Sequence, residues 1–332
     1  MRQLVFSALI AFFALGAAPL FAQESAATLP TELGWLKFRI SAGRLQVASP
    51  QYRESRSYES GNPLAGTSET LRLNISSQAA SVHYTRTTPN EVLTVDFDSP
   101  KSTVIELLPG DDTSGEIAAV KYVQPKDGPV QLTIDDGQQT RKQTAASFWH
   151  LLMLAPEDAK KALLPILSML RPGWPIEQTA DGIEKSLVKL AGSPHRPDRD
   201  HWKELVHQLG SSSFQQRRRA ERQLREAGPA VVAYLSALPT DSLDAERQAR
   251  IARLLSSLSS SADDTPDRIA MWLVDDPLVW STVLQSDDAN HRAIAKDQLE
   301  HLLGQSIDFD LEGDEEQRAV QLRAVRSLIE NR

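Results

Sequence analysis

The sequence contains no cysteine among its 332 residues. This absence excludes disulfide bonds, thiol nucleophiles, thiolate metal ligands and lipid attachment to a cysteine. Hydrophobic cores alone must therefore stabilise the fold, and a chain with 41% hydrophobic residues has the material for them.

The short motifs of the common enzyme classes are also missing. There is no G-x-S-x-G, no Walker loop and no dinucleotide fingerprint. The seven histidines form neither H-E-x-x-H nor any i, i+4 pair. We therefore predict a protein that is not an enzyme and that holds no cofactor and no metal.

One acidic run, Asp308 to Glu316, comes close to a calcium-binding loop. Counted as an EF-hand from Asp308, it has oxygen ligands at the early positions and Gly313 at the sixth, but the twelfth position is Ala319 where a bidentate Glu is needed. An acidic linker that caps the last helix is the preferred interpretation, and a calcium site is the alternative.

The chain has no excess of positive charge, since the formal net charge is -8 and the isoelectric point is about 5.5. Sequence-independent binding to nucleic acid needs a clustered excess of Lys and Arg. We therefore expect no nucleic-acid partner, and any partner is expected to be another protein of the cell envelope or the extracellular space.

The N-terminus is typical of a secretory signal peptide. Arg2 is followed by an apolar run from Leu4 to about Leu15, and small residues lead to Ala22 before the polar Gln23. Cleavage after Ala22 would place the protein in the periplasm or outside the cell, with no membrane span after signal removal. The alternative is an uncleaved anchor, because 4–22 is about long enough to cross a bilayer.

Between residues 33 and 144 the apolar residues recur with period two. Leu71, Leu73 and Ile75 alternate with polar residues, and three further segments follow the same pattern. Short turn signals separate these segments, as at Asp136-Gly137. The pattern predicts an antiparallel β meander, either barrel-like or sandwich-like, and the polar segment 49–70 is expected to be a flexible loop within it.

From about residue 145 the period changes to 3.6, which predicts helices to the end of the chain. Within them, a helical motif occurs twice with the same first three intervals. The two copies consist of Phe214, Arg217, Ala220, Leu224 and Gly228, and of Ala289, Arg292, Ala295, Leu299 and Gly304. A looser copy, Arg247, Arg250 and Leu254, lies between them. Such repetition indicates stacked helices that bury their apolar faces against one another.

This motif, with a capping Ser or Asp in front of it, resembles the first helix of HEAT-like repeats, and more closely those of exported proteins from planctomycete-type bacteria. The resemblance covers about residues 198–332, and it implies a scaffold or binding surface without catalytic residues. The expected fold class is α+β: signal peptide 1–22, linker 23–32, antiparallel β domain 33–144, helical connector 145–197 and a short HEAT-like α-solenoid 198–332.

The first copy carries five arginines between Phe214 and Gly228. On a helical wheel Arg218, Arg222 and Arg225 lie opposite the apolar stripe, so a water-facing surface is the preferred interpretation and a binding surface for an acidic partner is the alternative. Arg217 and Arg292 lie at the edge of the stripe. We expect each of them to reach a carboxylate of a neighbouring repeat, with Asp287 or Asp288 as one acceptor.

The function that the sequence favours is that of an exported, non-catalytic scaffold or protein-binding module of the cell envelope. The alternative is a carrier of an apolar small ligand, held between the curved sheet and the helix predicted at Ala145 to Ala155.

Overall fold

The computed structural model describes residues 28–48, 54–76, 79–99, 101–110, 118–126, 128–192, 199–228, 230–238, 243–258 and 264–331. The predicted signal peptide and most of the predicted linker lie outside these ranges. The end of that linker forms a short helix, α1 (Leu29–Glu32), with Leu29 and Pro30 buried.

Ten strands follow α1. They are β1 (Lys37–Ser41), β2 (Arg44–Ala48), β3 (Glu54–Asn62), β4 (Thr67–Ile75), β5 (Ala80–Thr87), β6 (Glu91–Ser99), β7 (Ser102–Pro109), β8 (Ala119–Pro125), β9 (Val130–Asp135) and β10 (Thr140–Ala145). All pairings are antiparallel, and eight strands form one sheet in the order β10-β9-β8-β7-β6-β5-β4-β3. The predicted antiparallel meander is confirmed, and in the described residues the sheet is open, with β10 and β3 at its edges.

The alternation of residues has the predicted physical cause. In β4, Leu71, Leu73 and Ile75 are buried while Arg72 and Asn74 are exposed, and the neighbouring strands alternate in the same way. One face of the sheet is therefore apolar and covered, and the other is polar and faces solvent.

The prediction of a flexible loop over residues 49–70 is wrong in the described part of that segment, and residues 49–53 lie outside the described ranges. Residues Glu54–Asn62 form β3, which pairs with β4 in continuous register from Glu54↔Ile75 to Asn62↔Thr67. Most of β3 is exposed, so backbone pairing with β4 holds it in place rather than burial of side chains. A polar, serine-rich composition does not reveal an edge strand of this kind.

The β1–β2 hairpin is a separate two-stranded sheet that packs against the inner face of the large one. Gln124 of β8 connects them, because its side chain accepts the N–H of Leu45 and donates to the carbonyl of Leu45, both at 2.9 Å. The buried amide of Gln124 thus makes the two hydrogen bonds that a neighbouring strand would make.

Helices occupy the rest of the chain. They are α2 (Phe148–Leu154), α3 (Pro156–Asp158), α4 (Leu164–Leu170), α5 (Ile176–Ala191), α6 (Arg199–Gln208), α7 (Phe214–Glu226), α8 (Ala230–Ala237), α9 (Ala245–Leu258), α10 (Pro266–Leu273), α11 (Pro277–Val283), α12 (Ala289–Leu303) and α13 (Glu315–Glu330). A π turn, Ala159–Leu163, joins α3 to α4. Pro165 lacks the N–H that would continue a regular helix at this point.

The buried apolar residues form two separate cores. The first joins the sheet, the hairpin, α2, α4, α5 and α10 to α13, and we call this part the main body. The second lies within α6 to α9, which we call the lobe (199–258 in its described part). Helices α5 and α10 flank the lobe in the chain and contact each other directly, with Ser186 Oγ donating to Asp267 Oδ1 at 2.7 Å. The lobe is therefore an insertion into the main body.

Candidate protein-binding surface

The two copies of the repeated motif form equivalent helices, α7 and α12. Ala220 and Leu224 are fully buried in α7, as are Ala295 and Leu299 in α12. Gly228 and Gly304 follow the two helices with φ of +67° and +64°, a left-handed conformation that glycine adopts without a steric penalty. The motif therefore describes one kind of local structure, a capped helix that ends at glycine.

The two copies contribute to different cores. Ala220 and Leu224 lie in the core of the lobe, whereas Ala295 and Leu299 lie in the core that also contains the sheet. The described residues therefore do not form a single continuous core that runs through both copies. The arrangement of these helices as a HEAT-like α-solenoid stays a prediction.

Arg217 and Arg292 make the same contacts in their two helices. Arg217 Nη1 donates to the carbonyls of Ser211 and Ser212, at 2.6 and 3.0 Å. Arg292 Nη1 donates to the carbonyls of Ser286 and Asp287, at 2.9 and 3.0 Å. Each arginine is the fourth residue of its helix and holds the turn that precedes that helix.

The prediction that Asp287 or Asp288 accepts one of these arginines through its carboxylate is wrong for the described residues. Asp287 accepts through its backbone carbonyl, and the carboxylate of Asp288 instead caps α12 by accepting the N–H groups of Asn290 and His291. The Nε of Arg292 donates to the carbonyl of Leu311 at 3.0 Å, in the segment before α13. Arg217 does approach a carboxylate of another helix, with its Nε 3.8 Å from Glu246 Oε1 of α9.

The looser middle copy is out of register by one residue. In α9 the cap is Asp244, which accepts the N–H of Arg247, and the fourth helical residue is Gln248. Gln248 Nε2 donates to the carbonyl of Leu243 at 2.9 Å, so Gln248, and not Arg247, takes the position of Arg217.

Arg250 joins α7 to α9 through ion pairs. Its guanidinium lies 2.9 Å from Glu221 Oε2 of α7 and 2.6 Å from Glu246 Oε1, and its side chain is almost fully buried. Glu221 also binds Arg225 at 3.0 Å. Arg217, Arg225 and Arg250 thus have structural partners within the lobe.

The outer side of α7 faces solvent. Phe214, Arg218, Arg219 and Arg222 are exposed, and we call this set the α7 surface. Phe214 is 58% exposed, and the guanidiniums of Arg217 and Arg218 lie 5.9 and 5.7 Å from the centre of its ring. Neither Arg218 nor Arg219 forms an ion pair with any described residue, and Arg222 has only a 3.9 Å contact with the exposed Glu226. The surface combines an aromatic ring with three outward arginines in a chain of net charge -8.

The acidic run near the C-terminus caps the last helix, as the preferred interpretation predicts. Asp314 accepts the N–H of Gln317 at 2.8 Å, and Asp310 accepts the N–H of Glu312 at 3.0 Å. In the part of the chain that the structure describes, no group of three or more acidic or histidine side chains is arranged to hold a metal ion. The carboxylates of this run are exposed, and none of them pairs with a described cation.

Two other clusters have groups suited to acid–base chemistry. His83 Nδ1 contacts Asp96 Oδ1 across β5 and β6, and Thr85 Oγ1 lies 3.3 Å from His83 Nε2, but the His83 and Asp96 side chains are 42% and 49% exposed on the open face of the sheet. His291 Nδ1 and Ser286 Oγ both contact Glu184 Oε1, in a shallow groove between α5 and α12. In the second cluster the hydroxyl donates to the carboxylate, and Ser286 and His291 are connected through Glu184.

A buried histidine and aspartate connect α2 to α11. His150 Nδ1 accepts the N–H of Ala146, and Nε2 lies 2.9 Å from Asp276 Oδ2. Burial raises the pKa of the Asp276 carboxyl, but the hydrogen bond and charge of His150, with the N–H groups of Leu278 and Val279, outweigh burial and hold this pKa below its usual value.

This shift predicts a pH dependence. Because the pKa of Asp276 is lower in the folded than in the unfolded protein, its carboxylate stabilises the fold above the unfolded pKa of about 3.9, and the contribution is lost as pH falls through the folded pKa. We expect Asp276→Asn to lose less free energy of unfolding than the wild type between about pH 6 and about pH 3 in urea titrations. Asp181→Asn, at an exposed carboxylate of α5 that pairs with no described residue, is the control, and equal pH slopes for Asp276→Asn and wild type would contradict the assignment.

Sequence reasoning did not find Phe214 as a surface residue, nor the buried pair His150 and Asp276. Phe214 is the first residue of an arginine-rich helix, and its position outside the i, i+3, i+4 pattern of Ala220 and Leu224 is the signal that was available. His150 and Asp276 are 126 positions apart by their numbers, so no local pattern marks them.

Comparison of the chain with protein-family models, with curated proteins and with solved structures finds no match in any of the three.

Proposed function

We propose that this chain is an exported, non-catalytic scaffold or protein-binding module of the cell envelope, which binds a protein partner through the α7 surface. The observation that carries the proposal is the exposure of Phe214 beside Arg218 and Arg219, which have no ion pair with a described residue. Exposed aromatic residues beside arginine are enriched where proteins bind one another. These side chains are not part of the core of the lobe.

Export is the second element of the proposal. It rests on the sequence of residues 1–22, with cleavage expected after Ala22 and a periplasmic or extracellular location for the mature chain. None of the helices in the described ranges is both long enough and apolar enough to pass through a bilayer.

The packing of the main body favours a scaffold over a carrier. Phe148 and Trp149 of α2 and Tyr122 of β8 are buried against one another between the sheet and α2, with ring centroids 6.3 Å apart for Tyr122–Phe148 and 5.4 Å for Phe148–Trp149. A carrier needs free volume at this position. Two surface pockets of the described residues lie elsewhere, one beside α4 and α5 and one between α5 and α12.

The test is crosslinking in the native envelope followed by mass spectrometry. We expect the wild type to be recovered with a partner crosslinked to peptides of α7, and Arg218→Glu/Arg222→Glu to lose that partner while its melting temperature stays unchanged. Charge reversal is expected to weaken binding to an acidic partner surface about tenfold or more, because like charges then face each other.

The matched control reverses two other exposed charges of the lobe, Lys203→Glu and Arg253→Glu, which changes the net charge equally. The proposal fails if the control loses the partner to the same extent, or if the wild type yields no crosslink to α7.

A further inference from the structure

We propose that the partner of the α7 surface is a second copy of this chain, bound through its acidic segment, Glu312, Glu316 and Val320. The proposal rests on the proposed function, because it uses the same surface and names what binds there. Both surfaces are exposed in the described structure.

The two surfaces are complementary in charge. Arg218 and Arg219 lack ion pairs with described residues, and so do Glu312 and Glu316. The segment from Asp308 to Glu316 has six carboxylates and no cation, whereas the outer side of α7 has three arginines. Contact between them would bring opposite charges together in a molecule whose net charge of -8 otherwise opposes association.

The apolar groups match as well. Val320 of α13 is 53% exposed, and Phe214 is 58% exposed. Both are among the few large apolar side chains that remain open to solvent. Covering each with the other would remove apolar area from water on both molecules.

The spacing of the contacting residues determines how α7 and α13 are oriented relative to each other. Phe214, Arg218 and Arg222 follow one another at intervals of four along α7. Glu316 and Val320 have the same interval on α13, and Glu312 lies in the turn before Asp314, the N-cap of that helix. On a helix this interval corresponds to about 6 Å along the axis on one side. Antiparallel packing of the two helices therefore places Phe214 against Val320 and Arg218 against Glu316, and it brings Arg222 toward the turn that contains Glu312. Parallel packing pairs each apolar residue with a charge.

The geometry of the molecule determines what such contacts build. The α7 surface belongs to the lobe and the acidic segment to the main body, so the contact is between two different surfaces. Each of two joined molecules then keeps one free surface, an acidic segment on one and an α7 surface on the other, so further copies can add and form rings or open chains. This is a property of a scaffold that assembles from its own copies.

The test is sedimentation velocity of the mature full-length chain over a range of protein concentrations. We expect the average mass to rise above that of the monomer with concentration at about 0.1 M salt, and to return to the monomer at about 1 M salt, where the Debye length falls from about 10 Å to about 3 Å. The variant Arg218→Glu/Arg222→Glu alone, and the variant Glu312→Arg/Glu316→Arg alone, are each expected to stay monomeric.

Mixing the two variants supplies the decisive measurement. Each mixture contains one unaltered α7 surface and one unaltered acidic segment, and the reversed surfaces are complementary too, so we expect association to return. The control Lys203→Glu/Arg253→Glu should associate like the wild type.

A wild type that is monomeric at every concentration, or a mixture that does not associate, overturns the proposal. If the wild type is monomeric while Arg218→Glu/Arg222→Glu still loses a foreign protein in the crosslinking experiment, the second copy is the wrong partner and the protein-binding function stands.

Discussion

Leu299→Ala is expected to destabilise the main body, including the sheet, whereas Leu224→Ala is expected to destabilise only the lobe. The two leucines occupy the same position in the repeated motif and are equally buried, at 0% exposure. Leu299 lies in the core shared by α12 and the sheet, and Leu224 lies in the core of α6 to α9. The two variants have the same residue type, the same position in the motif and the same burial. The experiment therefore tests the one difference between them, which is the core to which each leucine belongs.

Each substitution removes a buried side chain and leaves a cavity, at a cost of about 2–5 kcal/mol. Hydrogen exchange followed by mass spectrometry shows where that cost appears, because local unfolding raises exchange only in the unit that opens. We expect Leu224→Ala to accelerate exchange in 199–258 with the strands β5 to β7 unchanged. Leu299→Ala should accelerate exchange in those strands and in α10 to α13.

The control is Leu64→Ala between β3 and β4, where the side chain is 100% exposed and the cost should stay within about 0.5 kcal/mol. If both leucine variants accelerate exchange in the lobe and in the sheet equally, the two cores unfold as one cooperative unit and the lobe is not an independent insertion.

The positions of these two leucines in the structure show what a sequence pattern can predict. Burial of Leu224 and Leu299 follows from helical spacing, and the left-handed Gly228 and Gly304 follow from the position of glycine at a helix end, since both depend on residues a few positions away. Which core each helix joins depends on contacts between distant segments. The repeat therefore indicated the local structure of α7 and α12, but it did not separate the lobe from the main body.

The sheet shows the same limit. Period-two alternation predicted the strands whose inner side chains are buried, such as β4 and β6, because burial on one face imposes that pattern. Strand β3 has no buried face of its own, so its residues carry no alternation and its pairing with β4 was missed. For the candidate surface, the outward arginines Arg218 and Arg222 were placed correctly by the helical wheel, whereas the exposure of Phe214 was not foreseen.

Asp264→Ala is expected to have the second large effect, because Asp264 joins three parts of the main body. Its carboxylate accepts the backbone N–H groups of Ala42 and Gly43 in the β1–β2 turn and the indole N–H of Trp149 in α2, all at 2.8 Å. Its own N–H donates to the carbonyl of Ile40 at 3.1 Å, immediately before α10 begins. The chain thus returns from the lobe to the hairpin at Asp264.

The turn that Asp264 holds has a strained residue. Ala42 has φ of +51°, a left-handed conformation that costs an alanine about 1 kcal/mol, and Gly43 follows with φ of +69°. Hydrogen bonds from both residues to one carboxylate offset this cost. Without Asp264 the turn would lose its acceptor and keep its strain.

Removing the carboxylate leaves three donors without an acceptor at a site where Asp264 is only 7% exposed. An unsatisfied buried donor costs about 1–3 kcal/mol, so we expect Asp264→Ala to lower the free energy of unfolding by about 3 kcal/mol or more. Urea titrations followed by tryptophan fluorescence measure this loss, and hydrogen exchange at Ala42 and Gly43 should increase. Asp181→Ala, at an exposed carboxylate of α5 that pairs with no described residue, is the control.

The pH dependence of this contact has the opposite sign to that of Asp276. Burial raises the pKa of Asp264, and the N–H groups of Gly43, Trp149 and Ala42 compensate for burial only in part. Since the folded pKa lies above the unfolded one, this group's titration favours the fold below the unfolded pKa, and that contribution is lost as pH rises through the folded pKa. Asp264→Ala should therefore lower the free energy of unfolding more at about pH 4 than at about pH 7. A smaller loss at the lower pH would contradict this expectation, and it would show that the folded protein prefers the ionised carboxylate with its three donors.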